Sequence, residues 1–274
     1  MRRMPACSFD RAVRRHRDEV LRYEAEVRTG VDPEAVHKQR VATRRLRSLL
    51  RSVRPQSVDP ERSEHLREEL RWLGSALGEV RDRDVLIAYM LDELAGMEEA
   101  PAFGAALEVL DGEREEARNE LLAALDSTRY RTLLDELDQP PALHDGDLRS
   151  AATKEHQRLA KSVARLDGGE PSDEELHRVR IKVKRARYAA EAAGASKRYI
   201  KRAKALQDIL GEHQDAVVAE ARIRELVSRL RGTGRTALAA GRLIERQRNR
   251  RLEERRAWEK AWKRLERAGE AEWR

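Results

Sequence analysis

His37, Arg40, Arg44, Arg47 and Arg51 follow one another at intervals of three, four, three and four residues. A helix turns about 100° per residue, so this spacing gathers all five within roughly one quarter of its circumference. Lys38 and Arg45 flank the stripe. A second stripe repeats the pattern as His177, Arg180, Lys184 and Arg187, flanked by Arg178 and Arg185, with Glu191 in place of the last arginine. Solvated helix faces usually mix signs and pair Glu with Lys at i,i+4. Like charges at that spacing repel by about a few tenths of a kcal/mol per pair. Two arrangements explain why the cost recurs: the faces meet acidic residues on neighbouring helices, or a polyanion lies along them. Arginine's planar fork takes phosphate oxygens in pairs, which suits a repeating phosphate chain.

Each stripe is led by a histidine in the same register. A structural histidine near a helix start and an anion-contacting histidine both fit that placement. A metal site would need further ligands at suitable spacing, and no H-x-x-x-H or H-x-x-E-H stands nearby. Farther on, Gly78 and Asp82 are four residues apart, as are Gly211 and Asp215. A glycine lets another helix approach, and an aspartate one turn on can accept its hydrogen bonds. The expectation is a buried Asp–Arg pair that holds a bundle together. A catalytic or metal-binding carboxylate lacks a second clustered acid in the later copy, where Asp84 becomes Val217.

These residues need helices to position them. Ala, Leu, Glu and Arg dominate the 274 residues, aromatics are 4%, and β-branched runs are scarce, so the expected class is all-α. Eight helical stretches are predicted: Phe9–Arg28, Pro33–Val53, Pro60–Met97, Phe103–Leu137, Leu148–Leu166, Asp173–Ala193, Lys197–Leu230 and Thr236–Ala268. Thr29-Gly30-Val31-Asp32-Pro33, Gln139-Pro140-Pro141 through Gly146, Gly168-Gly169-Glu170-Pro171 and Gly232-Thr233-Gly234 carry the turn chemistry between stretches. Asp32 reads as an N-cap before proline, and Ser172 with Glu175 as a capping box. His37 and His177 each lie five residues after their cap. Ala42, Leu46, Leu49, Leu50 and Val53 form the apolar face opposite the first stripe; Val179, Val183, Ala186 and Ala190 do so for the second.

The halves correspond element by element. Leu73, Leu77, Gly78, Glu79, Asp82 and Val85 recur as Leu206, Leu210, Gly211, Glu212, Asp215 and Val218. Tyr130, Leu134 and Leu137 share the spacing of Trp258, Trp262 and Leu265. The chain is a tandem repeat of four helices per unit, over about 9–138 and 148–268 with a linker at 139–147, and each unit can form a four-helix bundle. The net charge of +7 points to an anionic partner. Cys7 is the only cysteine, which excludes an internal disulfide. No apolar run reaches spanning length and the N-terminus lacks a signal-peptide core, so a cytoplasmic protein that does not enter membranes is expected.

The paired histidine-led basic helices, "VHKQRVATRRLRSLL" and "LHRVRIKVKRARYAAEAA", are followed by "LGEVRDRDV" and "LGEHQDAVV". Together they resemble the CHAD family, the conserved histidine α-helical domain, from about Phe9 to Arg267, here taken as one domain over 9–268. The resemblance implies two four-helix bundles related by a pseudo-twofold axis around a basic surface or pore. It implies binding of inorganic polyphosphate and localisation to polyphosphate granules. Carried over residue by residue, His37, Arg40, Arg44, Arg45, Arg47, His177, Arg180, Lys184, Arg185 and Arg187 match the family's basic positions. Lys201 and Lys204, before "LQDILG", join them, and Lys38, Arg51 and Arg178 complete the candidate set. Many relatives fuse this domain to a triphosphate-cleaving tunnel domain; no such segment is present in this sequence, so a standalone, non-catalytic binder without cofactor or metal is expected, with both stripes on one continuous anion site. Nucleic acid is the alternative partner, although neither stripe interleaves the aromatics that stack bases. A phosphoanhydride-processing enzyme is the third reading; no G-x-x-x-x-G-K-[ST] loop is present, and "GTGRT" at Gly232 is too short for one.

Overall fold

A computed structural model describes residues 6–53, 57–141, 148–166, 170–229 and 234–274. Among these there are nine α-helices and no β-strand: α1 (Ala6–Thr29), α2 (Pro33–Val53), α3 (Pro60–Leu94), α4 (Gly104–Asp126), α5 (Thr128–Asp138), α6 (Leu148–Ala164), α7 (Asp173–Ala192), α8 (Lys197–Arg229) and α9 (Gly234–Glu272). A 3₁₀ turn, Ala100–Phe103, joins α3 to α4. The expected helix break at 167–169, positions 142–147 of the linker, Gly232-Thr233 and the end of the seventh stretch at Leu230 lie outside the described residues.

The stretch expected to run unbroken from Phe103 to Leu137 is two helices. Ser127 divides them, with extended backbone and a hydroxyl that accepts from the Tyr130 backbone N–H. A serine at that position offers the chain a new N-cap, which outweighs continuation. By the Tyr130/Trp258 correspondence its counterpart is Arg255, a good helix former, and α9 runs straight through. The third stretch also stops early, at Leu94 instead of Met97, where Gly96 adopts φ +77.

The helix starts follow their capping signals. The Asp32 carboxylate accepts from the Glu34 backbone N–H at 2.9 Å, so α2 begins at Pro33. Ser172 and Glu175 form the reciprocal capping box that starts α7. Gly30, at φ +69, closes α1, and a side chain there would collide with the Arg118 guanidinium. That guanidinium donates to the carbonyls of Val27 and Arg28, satisfying the end of α1 from α4.

The chain divides into two compact units. The first holds Met1–Ile87 with Leu110–Ala151, and the second Ala88–Val109 with Ala152–Arg274. The tip of the α3–α4 hairpin thus belongs to the second unit, where Glu93 and Glu99 pair with Arg246 and Arg242 of α9. In the first unit Ala42, Leu46, Leu49 and Leu50 of α2 are buried, as are Leu66, Leu70, Leu73 and Leu77 of α3. Tyr130 of α5 is buried too and donates its hydroxyl to Glu24 of α1. In the second unit Val179, Val183, Ala186 and Ala190 of α7 pack in a core with Tyr199, Leu206, Trp258, Trp262 and Leu265. Both apolar faces expected from the sequence are therefore core, with the Val53 side chain outside the described set.

Three histidines are buried away from the stripes. His16 meets Glu19 at 2.9 Å, His156 meets the Tyr199 hydroxyl at 3.0 Å, and His213 meets Asp173 at 3.2 Å. Burial is the largest influence on each and holds its pKa below the ordinary value of 6.5. The unfolded chain thus takes up protons near pH 6.5 that the folded chain refuses. The associated stability is present above that pH and is lost as pH falls toward the depressed values, by up to about 1.4 kcal/mol per pH unit for each histidine that stays neutral. The urea midpoint should fall between pH 7 and pH 5.5, and His156→Asn should flatten the decline. A midpoint that rises over this interval would contradict the assignment.

Candidate polyanion-binding faces

In the first unit α2 runs beside α3, and the stripe meets α3 side chains along its length. His37 is partly buried, and burial is the main reason its pKa lies below the ordinary value. Arg81 of α3, Arg44 and Arg40 lower it further, opposed by Glu34. Arg81 itself pairs with Glu34 at 3.0 Å. At the other end of the stripe Arg47 keeps an exposed edge, and its pKa is lowered by desolvation and then by Arg67, Arg71 and Arg51. Cations of two helices therefore gather at both ends of this face.

Two flanking residues turn the other way. Lys38 lies 3.8 Å from Asp32 and 5.5 Å from the centre of the Tyr23 ring of α1. Arg45 reaches Glu19 of α1 at 3.8 Å. Both still carry positive charge at the surface, but they lean toward α1 and away from the His37 line.

Arg40 meets Asp82 at 3.3 Å. The expected Asp–Arg pair exists, but it is not buried: the Asp82 side chain is 69% exposed. Nor does Gly78 admit a neighbouring helix there. It lies beside the Arg40 guanidinium, whose Nη2 and Nε would stand 3.5 and 3.6 Å from a Cβ at that position, an ordinary contact that alanine would also allow. The helical spacing of Gly78 and Asp82 places both beneath one arginine side chain, which leaves the carboxylate at the protein surface.

The second unit repeats this layout with changes. His177 is partly buried and shares a 2.8 Å hydrogen bond through Nδ1 with the Gln214 side-chain oxygen. Arg180 lies over Gly211, its Nε 3.9 Å from a Cβ built there. Arg180 is also the strongest charged influence on Asp215, followed among the cations by Lys184 and Arg250. Desolvation outweighs them and raises the Asp215 pKa. Arg178 is drawn to Glu174 at 2.9 Å on the solvent side, while Arg185 is exposed. Arg187 is held 3.2 Å from Glu191 and 4.7 Å from the centre of the Tyr188 ring, with its side chain only 11% exposed. Arg180 and Lys184 of the stripe both act on Asp215, and its last member, Arg187, is held by Glu191. Lys201 and Lys204 are exposed near the start of α8.

Sequence reasoning missed Arg67, Arg71 and Arg81. The repeat itself holds the signal for two of them. By the Gly78/Gly211 alignment, Arg71 corresponds to Lys204, and Arg81 to Gln214. The same α3 or α8 position faces the stripe histidine in both units, as arginine in one and glutamine in the other. His16 and His156 were also missed; each precedes its stripe histidine by 21 residues and is buried in its own unit. Among the described residues no three His, Cys, Asp or Glu side chains form a metal-ligand cluster. Within the same set, no helix is long and apolar enough to cross a membrane.

These features define an all-α protein with a histidine-led basic helix in each of two repeated units. The CHAD domain family model matches residues 11–224, and the chain belongs to the CHAD family. It is 34% identical over 233 residues to an uncharacterized protein of Mycobacterium tuberculosis, in strains CDC 1551 / Oshkosh and ATCC 25618 / H37Rv alike. The match covers 78% of this chain and 44% of those relatives, so the chain spans less than half their length. Among solved structures it is similar to PptA from Streptomyces chartreusis, with TM-score 0.80 and 26% identity over 94% of this chain and 99% of that one. It is also similar to the CHAD domain from the plant Ricinus communis, with TM-score 0.74 and 27% identity over 93% and 90% of the two chains.

The surface position of the Arg40–Asp82 pair sets its energetic scale. Exposed ion pairs contribute about 0–1 kcal/mol, whereas breaking a buried one costs about 3–5 kcal/mol. Asp82→Ala should therefore lower the stability read from urea unfolding by less than about 1 kcal/mol. A loss of several kcal/mol would restore the buried-pair account.

Proposed function

We propose that this chain is a non-catalytic binding module for inorganic polyphosphate, gripping it through the α2 face in the first unit and the α7 face in the second. The observation that carries this reading is the surroundings of His37. Arg40 and Arg44 from α2 and Arg81 from α3 act on one partly buried imidazole, with Glu34 opposing them. Family membership supports the same ligand, and granule localisation follows from it as a proposal.

The ligand's density of charge suits the site. Each stripe spans about 10–14 residues at about 1.5 Å rise, or roughly 15–20 Å. Short oligomers cover only part of that length. Isothermal titration should therefore show pyrophosphate and triphosphate binding far more weakly than chains of tens of phosphates. For the long chain, log affinity should fall linearly with log salt, since each neutralised phosphate releases condensed counterions. The slope for single-stranded nucleic acid is about −0.7 per contacted phosphate, so a stripe-wide contact gives a slope of several units. Equal affinities and equal slopes for short and long ligands would eliminate the extended face. Competition by nucleic acid at equal phosphate concentration tests the alternative partner. Phosphate release from polyphosphate with magnesium or manganese would contradict the non-catalytic reading.

The double variant Arg44→Glu/Lys184→Glu should abolish binding of the long chain while helical circular dichroism stays unchanged. Normal binding by that variant would place the site elsewhere.

His37 gives the reading a pH signature. Its depressed pKa leaves it neutral near pH 7, and an adjacent phosphate favours the protonated form. Affinity should thus rise as pH falls below about 6.5, and His37→Gln should reduce that rise. A pH dependence identical in the wild type and the variant would show that His37 stays off the ligand.

A further inference from the structure

In both units the aspartate of the L-G-x-x-x-D motif stands beside the stripe that meets the anion. Asp82 pairs with Arg40 at 3.3 Å at the surface, and Arg180 is the charged group that acts most strongly on Asp215. A carboxylate there repels a polyanion, and Asp82 is not hidden: its side chain is 69% exposed. One turn earlier a helix glycine lies beside the same guanidinium: a Cβ at Gly78 would stand 3.5 Å from the Arg40 Nη2, and one at Gly211 3.9 Å from the Arg180 Nε, both ordinary contact distances. Such a glycine costs helix stability of about 1 kcal/mol relative to alanine, and it is present in both copies. In the first unit an exposed acid and a glycine thus stand beside a single arginine side chain.

We propose that Asp82 is a positioning residue: it pins the Arg40 guanidinium beside Gly78, so that the arginine meets the polyphosphate chain already extended. This rests on the polyphosphate reading above and adds a role for a residue that carries the wrong charge to touch the ligand. Arginine has many rotamers, and freezing them on binding weakens association. A carboxylate that freezes them beforehand removes that loss, and only one edge of the fork is used in doing so. Asp82 holds Arg40 through Nη1, which leaves the other guanidinium donors for phosphate oxygens.

The sign of the mutational effect separates this role from its rivals. The full chain is compared as wild type, Asp82→Ala, Arg40→Ala and the double variant, with sodium polyphosphate of tens of phosphates at about 0.15 M salt, where the Debye length is about 8 Å. Positioning predicts that Asp82→Ala weakens binding by about 3- to 10-fold, the loss expected for immobilising one long side chain. It predicts no further weakening when Asp82→Ala is added to Arg40→Ala. A carboxylate that merely repels the ligand predicts tighter binding in Asp82→Ala. That outcome, or an unchanged affinity, overturns the proposal. Relaxation of the Arg40 Nε–Hε group by NMR in the ligand-free protein supplies a second readout. The group should be ordered in the wild type and mobile in Asp82→Ala; equal order in both overturns the pinning. A wild-type chain that binds no polyphosphate sinks the functional reading instead, and the relaxation data still decide whether Asp82 holds Arg40.

Discussion

Crowding of like charge on one quarter of α2 is the constraint around which the first unit is arranged. His37, Arg40, Arg44, Arg47 and Arg51 repel one another by about 0.2–0.5 kcal/mol per adjacent pair. The opposite side of the same helix buries Leu46 and Leu50 completely, and each such side chain contributes roughly 1.5–3 kcal/mol. Burial therefore wins, and the helix is held from behind while its front remains under electrostatic stress. The carboxylates that could relieve the stress stand at its margins. Glu34 is at the start of the helix, Glu19 is on α1 beside Arg45, and Asp82 is beside Arg40 at the surface.

The second unit repeats the arrangement at lower charge. Gln214 replaces Arg81 opposite the histidine, and it satisfies Nδ1 of His177 with a neutral partner. Glu191 replaces Arg51 and draws Arg187 toward itself. Each exchange removes a cation or adds an anion, so the α7 face carries less net positive charge than the α2 face. The repeat thus conserves register more strictly than it conserves charge. A histidine, an arginine over glycine and an aspartate recur in place in both units; the charges around them drift.

Much of this was legible because helical periodicity and capping are local. Ser172 with Glu175, and Asp32 before Pro33, start their helices where the residue types demand, and all the described members of both apolar faces are core. What escaped detection depended on partners distant in sequence. The Asp82 carboxylate has the same spacing from Gly78 whether it is buried or exposed, so spacing alone could not say which. Ser127 interrupts a good helical pattern through one hydroxyl, whereas the aligned Arg255 does not. Arg71 and Arg81 belong to a helix whose own sequence mixes both signs, and they read as ordinary surface until α3 is laid beside α2. His16 and His156 lie on helices with no motif of their own, and only the repeat spacing marks them.

A count of lysines and arginines by itself would have pointed to the wrong helix. The densest basic writing in the chain is not α2 but α9, with "RQRNRRLEERRAWEKAWKR" over 246–264. There the arginines are used internally. Arg246 pairs with Glu93, Arg248 with Glu220, Arg250 with Glu212, and Arg251 and Arg255 with Asp173. Asp173 is the first residue of α7, so its pairs with Arg251 and Arg255 fasten α9 to the helix that carries the second stripe. Arg255 also donates to the Pro171 carbonyl just before that turn. Two basic helices of one unit thus do different work, and sequence composition cannot separate them. A cation opposite a carboxylate on a neighbouring helix builds the unit; a cation opposite other cations leaves positive potential at the surface, where an anion can be received.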